Sequence, residues 1–231
     1  SMLAADIKPS RLERSKQFIS KLAGKLENDR IGLVVFAGKA YLQMPLTSDH
    51  IATGLYVSNA GPDAVPTQGT VIADALKLSG SGFSTKDKKY KAIVLITDGE
   101  DHDERAVKTA RQLAENGVMI NTIGVGSTQG SPILNAITGE SVRDMHGNII
   151  LSKLNEQLLT DIAHEADGIY QQLNDIETVT DKIKEQLAGM EQKIIRDNRT
   201  LNFRSFFQWF LALAFTGFVG ELFISEKKRT Q

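Results

Sequence analysis

Ala92-Ile93-Val94-Leu95-Ile96-Thr97-Asp98-Gly99-Glu100-Asp101 decides the fold: an apolar run with the character of a buried strand stops abruptly on an acidic turn that contains glycine. In open α/β sheets, ligand sites lie outside the carboxyl ends of the strands, so a carboxylate at that point is a candidate functional group. Asp98 is the first such candidate. Asp98-Gly99 also serves a plain turn, with Gly99 supplying a positive φ and Asp98 capping the backbone. Residue types alone leave both readings open.

Working outward, the flanking segments alternate between two periodicities. Ser10-Arg11-Leu12-Glu13 has the form of a capping box opening a helix to about Glu27, with Leu12, Phe18, Ile19, Leu22 and Leu26 on one stripe. Ile31–Ala37 (IGLVVFA) is a continuous apolar run bounded by Gly38, as expected of a strand covered on both faces, and Ala40–Leu46 follows as a shorter strand. Thr47-Ser48-Asp49 caps a short helix to about Asn59, and the segment from Gly61 to Gly69 is rich in turn residues. Thr70 opens a helix with Val71, Ile72, Ala75 and Leu76 on its apolar face, ended by Gly80-Ser81-Gly82. After the 91–97 strand, Asp103 is a candidate N-cap for a helix to Glu115, closed by Asn116-Gly117. Val118–Val125 is a further buried strand, a helix covers about 155–166, and a short strand covers 168–173. Val142–Ile150 has hairpin character, with Gly147-Asn148 in its turn. A polar helix over about 175–195 carries Ile176, Val179, Ile183, Leu187 and Met190 on one face. Strands alternating with helices at this spacing imply βαβ units and a doubly wound, mostly parallel α/β sheet.

Composition narrows the function. The 231 residues carry a formal net charge of -1, so no broad basic field is present for nucleic acid. The absence of cysteine removes disulfide frameworks and thiolate zinc sites. Four histidines, at 50, 102, 146 and 164, show no metal-binding spacing. At the carboxyl end, Phe206–Ile224 (FFQWFLALAFTGFVGELFI) has a single formal charge and, at roughly 1.5 Å per residue, the length to cross a bilayer's hydrocarbon core. Trp209 at one end and Lys227-Lys228-Arg229 beyond the other suit interfacial anchors. Lys193, Arg196, Arg199 and Arg204 precede the span, so basic residues on both sides leave its orientation open.

Three segments together resemble the von Willebrand factor type A domain: Ser1-Met2-Leu3-Ala4, the helix start at Gly69-Thr70, and the strand end Leu95-Ile96-Thr97-Asp98-Gly99-Glu100. Within that family, Ser1–Arg14 and Gln208-Trp209-Phe210-Leu211-Ala212-Leu213 resemble bacterial aerotolerance-type (Bat) membrane proteins. The resemblance implies a metal-ion-dependent adhesion site. There an Asp-x-Ser-x-Ser motif, a distant Thr and a distant Asp hold one divalent cation, whose open position accepts a partner's carboxylate. Carried over, Ser1 corresponds to the last serine, Thr70 to the threonine and Asp98 to the distant aspartate. The leading Asp and first Ser are not in this sequence, nor is the strand that carries them, so a sheet lacking its first central strand and a weakened Mg²⁺ site are expected.

The implied protein is a non-catalytic, membrane-anchored binding module: an A-type domain over 1–174, a helical connector over 175–202, a transmembrane helix over 203–225 and a basic tail over 226–231. The resemblance also implies a bacterial inner-membrane location with a periplasmic domain, and partners among related A-domain proteins and a MoxR-type AAA ATPase. An alternative makes Asp98, Glu100 and Asp101 the carboxylates of a metal-assisted hydrolase. The glycine-rich Gly124–Gly130 stretch superficially resembles a phosphate loop, but it has neither a Gly-Lys-Ser/Thr ending nor a GxGxxG pattern.

Overall fold

The structure is a computed structural model that describes residues 1–4, 6–62, 65, 69–84, 91–101, 105–133 and 139–201, with 191–201 described as backbone only. The candidate span at 203–225, the basic tail and the candidate cap Asp103 lie outside the described residues. Among those described, no helix is long and apolar enough to cross a membrane. Residues 1–190 form one compact unit, and 191–231 form a second, of which the backbone of 191–201 is described as helix.

The element order in the first unit is α1 (Arg11–Lys25), β1 (Ile31–Phe36), β2 (Ala40–Thr47), α2 (His50–Asn59), α3 (Ile72–Ser81), β3 (Lys91–Thr97), α4 (Arg105–Glu115), β4 (Val118–Gly124), β5 (Ser131–Pro132), β6 (Leu151–Ser152), α5 (Glu156–Glu165) and β7 (Tyr170–Gln172), followed by the start of α6 (Ile176–Leu201). β3, β4 and β7 form a parallel sheet in that order, with Ile93 opposite Ile120 and Thr122 opposite Tyr170.

Strand alternation sends successive side chains to opposite faces, and each face has its own core. Ile93, Leu95, Val118 and Ile120 pack with Ile72 and Leu76 of α3, Ala106 and Ala110 of α4, and Leu159 and Ile162 of α5. On the other face, Ile123 packs with Phe18 and Leu22 of α1 and with Val179 and Ile183 of α6. Burying each large apolar side chain contributes about 1.5–3 kcal/mol, which explains why the amphipathic stripes of α1 and α6 close onto the sheet.

β1 and β2 make a separate antiparallel pair, and no ladder joins β1 to β3 among the described residues. β1 is not covered on both faces: Gly32 is exposed and its other residues are only half-buried, and among the described residues β2 is its one hydrogen-bonded partner, with one edge left unpaired.

Helix ends follow the sequence closely, with two exceptions. Ser10 caps α1 by accepting the Glu13 N–H at 3.2 Å, but the Glu13 carboxylate pairs with Lys16 at 2.9 Å, so only half of the capping box forms. α3 begins at Ile72, not at Thr70, and its N-cap Val71 provides no side-chain bond. Asn155 caps α5, and Gly117, at φ 76°, ends α4 as expected. The 142–150 hairpin is present as a bridge between Arg143 and Ile149, but its turn lies at Met145–Gly147 while Asn148 pairs back to Asp144, whose carboxylate accepts the His146 and Asn148 N–H groups.

Candidate functional site

β3 delivers Asp98 to the carboxyl edge of the parallel sheet, where its side chain is 2% exposed. The turn forms because Gly99 takes φ 70° and its N–H donates to Thr97 Oγ1 at 3.2 Å. The Asp98 carbonyl accepts the Asn155 N–H at 2.9 Å, which ties β3 to the start of α5. Among the described residues, one carboxylate oxygen, Oδ1, receives the Glu100 N–H at 3.3 Å and the Thr97 hydroxyl at 3.5 Å. The other, Oδ2, faces Arg11 Nη1 at 3.2 Å and the Ser152 hydroxyl at 3.4 Å.

Asp101 connects this turn to the next element. Its Oδ2 accepts the Ile72 N–H at 2.8 Å and so supplies the cap that Val71 does not, a carboxylate at the positive end of the α3 dipole. Half-buried Thr70, two residues before Ile72, therefore lies on the same edge as the turn that carries Asp98. Ser1 is also half-buried, and its carbonyl accepts the Ala4 N–H at 2.9 Å. Ser1–Ala4 is a turn folded on the first turn of α1, through Leu12 N–H to Met2 O at 2.9 Å and Arg11 N–H to Ala4 O at 3.2 Å. Its connection to the edge runs through Arg11.

Arg11, Asp6 and Ser152 are the residues that sequence reasoning missed. The Arg11 guanidinium is fully buried: Nε and Nη2 fork onto Asp6 at 2.8 Å each, Nη1 donates to Ser152 Oγ at 2.6 Å, and Nη2 donates to Ser152 O at 3.2 Å. Asp6 Oδ2 also accepts the Ser127 N–H at 2.8 Å, so the glycine-rich loop after β4 meets the protein's own carboxylate. Gly126 is required there. At φ 130° it leaves room that a Cβ would fill, 2.7 Å from the guanidinium carbon.

Burial pushes the Asp6 carboxyl upward, but hydrogen bonds from Arg11 and Ser127 and the charge of Arg11 outweigh it and hold the group below its ordinary range. Burial lowers the Arg11 value, and Asp6 and Asp98 reverse that and raise it. A signal for Arg11 was present: Arg11, Ser15, Phe18 and Leu22 recur at helical spacing on the buried face of α1. A charge on a core stripe needs a buried counter-charge.

Glu100 and Asp101 are each committed elsewhere, Glu100 Oε1 to the Lys153 N–H at 2.7 Å and Asp101 to Ile72. Among the described residues, no group of three His, Asp or Glu side chains is arranged to hold a metal ion. The hard oxygens of Asp98, Thr70 and Ser1 fit a divalent cation in kind, and Asp98 Oδ1 keeps acceptor capacity toward one.

The sequence profile of the von Willebrand factor type A domain matches residues 4–186. The chain belongs to this family. It is similar to BatB of Bacteroides thetaiotaomicron, a conserved hypothetical protein, at 38% identity over 83% of this chain and 94% of that one, with a TM-score of 0.80. An aerotolerance-related membrane protein of Bacteroides fragilis, carrying multiple mutations to serine, is 39% identical over 82% of this chain and 94% of that one, with a TM-score of 0.79. An uncharacterized protein of Borreliella burgdorferi is 25% identical over 93% of this chain, and the chain spans 65% of its length.

More distant A-domain structures share the fold at 17% identity and a TM-score of 0.57. They are mussel byssus proximal thread matrix protein 1 with zinc in its adhesion-site motif, matched over 81% of this chain and 43% of that one, and the manganese-loaded TRAP protein of Plasmodium vivax, matched over 80% and 70%.

Proposed function

We propose that this A-type domain docks a partner protein at the carboxyl edge of its parallel sheet through a divalent cation, Mg²⁺ or a similar hard ion, held by Thr70 and Asp98 with Ser1. The observation that carries this reading is the 2.8 Å bond from the Ile72 N–H to Asp101, which pins the α3 start and the β3 turn to one edge. Hydroxyl and carboxylate oxygens suit an ion that keeps some of its waters, and one such position would take an acidic side chain of the partner. Two distant structures of the same fold hold divalent metal, one with zinc in its adhesion-site motif and one loaded with manganese, and this supports the choice of ion class.

The aerotolerance-related neighbour is described as a membrane protein, and this supports anchoring through the 203–225 segment. On this reading the protein sits in a bacterial inner membrane, its domain faces the periplasm, and it works with related A-domain proteins and a MoxR-type ATPase. It is a binding module and not an enzyme.

The test is calorimetric titration of the full chain with Mg²⁺, alongside affinity capture of partners from solubilised membranes. Binding that Asp98→Ala abolishes, with capture lost in chelator, is the expected result. Capture indifferent to both chelator and Asp98→Ala overturns the reading.

A further inference from the structure

Arg11 divides its guanidinium unequally between two carboxylates. Its contact with Asp6 is a two-point fork at 2.8 Å, whereas its contact with Asp98 is a single bond at 3.2 Å. Forked, short charge-assisted bonds are the strong ones, and a single bond at 3.2 Å lies at the long end of the range. The guanidinium is therefore anchored on Asp6 and only leans on Asp98. Both contacts are shielded from water, with the Arg11 side chain fully buried, Asp98 at 2% exposure and Asp6 at 11%. In such surroundings each charge acts strongly on the next.

We propose that Arg11 is the resident counter-cation of the edge site, a positioning residue that shares the negative charge of Asp98 and so sets how tightly Asp98 takes a divalent ion. This rests on the reading that Asp98 takes the ion. Asp6 is the other half of the device. By drawing the guanidinium to itself, it leaves Asp98 partly uncompensated, with Oδ1 held by two long bonds, from the Glu100 N–H at 3.3 Å and the Thr97 hydroxyl at 3.5 Å. Two substitutions on neighbouring residues then act in opposite directions. Removing the charge of Arg11 leaves Asp98 a bare carboxylate and tightens ion binding. Removing the charge of Asp6 leaves more of the guanidinium charge uncompensated beside Asp98 and weakens ion binding.

The experiment measures Mg²⁺ and Mn²⁺ affinity of the full chain by calorimetry and thermal melting in chelator, for the wild type and for Arg11→Gln, Arg11→Lys, Asp6→Asn and Asp98→Ala. Arg11→Gln is expected to melt lower in chelator yet bind the ion about tenfold more tightly. Arg11→Lys, which keeps the charge and loses the fork, is expected to melt lower with affinity within about twofold of wild type. Asp6→Asn is expected to bind about tenfold more weakly.

Equal affinities in wild type, Arg11→Gln and Asp6→Asn, with binding lost in Asp98→Ala, overturn the role of Arg11 and leave the docking site standing. Absence of binding to wild type and to Arg11→Gln at millimolar ion overturns the docking site and this proposal together. Should Arg11→Gln fail to fold, the sign of the Asp6→Asn change decides: tighter or unchanged binding overturns the proposal.

Discussion

β4 and β1 are both short apolar strands, yet six of the seven β4 residues are buried and none of the six in β1 is. Composition does not explain this, since β1 (IGLVVF) is the more apolar of the two and β4 (VMINTIG) buries Asn121 and Thr122. What differs is the number of strand partners: β4 lies between β3 and β7 and carries helices on both faces, while β1, although α2 and α3 lie against it, pairs among the described residues with β2 alone. An apolar run states that a strand can be buried. Partners on both edges and layers on both faces determine whether it is.

The contrast is broken most forcefully by truncating a residue on which the three-stranded sheet depends. Phe18 is fully buried where α1 meets Ile123 of β4 and Val179 and Ile183 of α6. Phe18→Ala is expected to destabilise the domain by about 3–5 kcal/mol, because the vacated volume is walled by strands and helices that cannot collapse into it. Urea denaturation followed by circular dichroism reads the change. A loss under about 1 kcal/mol would show that the α1 face is far more plastic than its burial indicates.

A smaller, pH-dependent effect is expected at the polar edge of the same sheet. The folded-state value of Asp6 lies below the ordinary carboxyl value of 3.8. Its stabilising contribution is thus fully present above the unfolded value and is lost as pH falls through the lower folded one. Stability should decline with acid below about pH 4, and Asp6→Asn should remove that part of the decline. Melting temperatures measured between pH 5 and pH 3 test this. A wild type and an Asp6→Asn variant with parallel acid profiles would mean that the Asp6–Arg11 fork does not outlast its surroundings.

Local signals carried most of the fold. The Ser10, Asp49 and Asn155 caps, the Asn116-Gly117 helix end and the strand end at Thr97 can all be read from residue type and spacing, because each depends on a few neighbouring atoms. The edge position of Asp98 was legible for the same reason. Three features were not, and each depends on distant chain. The α3 start is capped by Asp101, 29 residues further on. The counter-charges of Arg11 come from Asp98, 87 residues away, and from nearby Asp6 once the chain folds back. The register of β2 against β1 shifts twice, so simple alternation misassigns its faces.

Those register shifts set the smallest expected effect. Leu33 pairs with Met44, and the adjacent Val34 pairs with Leu42, so β2 carries one extra residue there, Gln43. Such a bulge breaks the regular alternation of side chains. Met44 is 2% exposed and Leu42, two residues before it, is 51% exposed, although an unbroken strand would put both on one face. Leu42→Ala should therefore change stability by no more than about 0.5 kcal/mol, as at other surface positions, because half the side chain is in water already and no walled cavity forms. Denaturation of this variant beside Phe18→Ala gives the comparison its scale. A loss at Leu42 approaching that at Phe18 would mean that another surface covers the outer face of the hairpin in solution, and that the difference between the two strand systems is narrower than their burial implies.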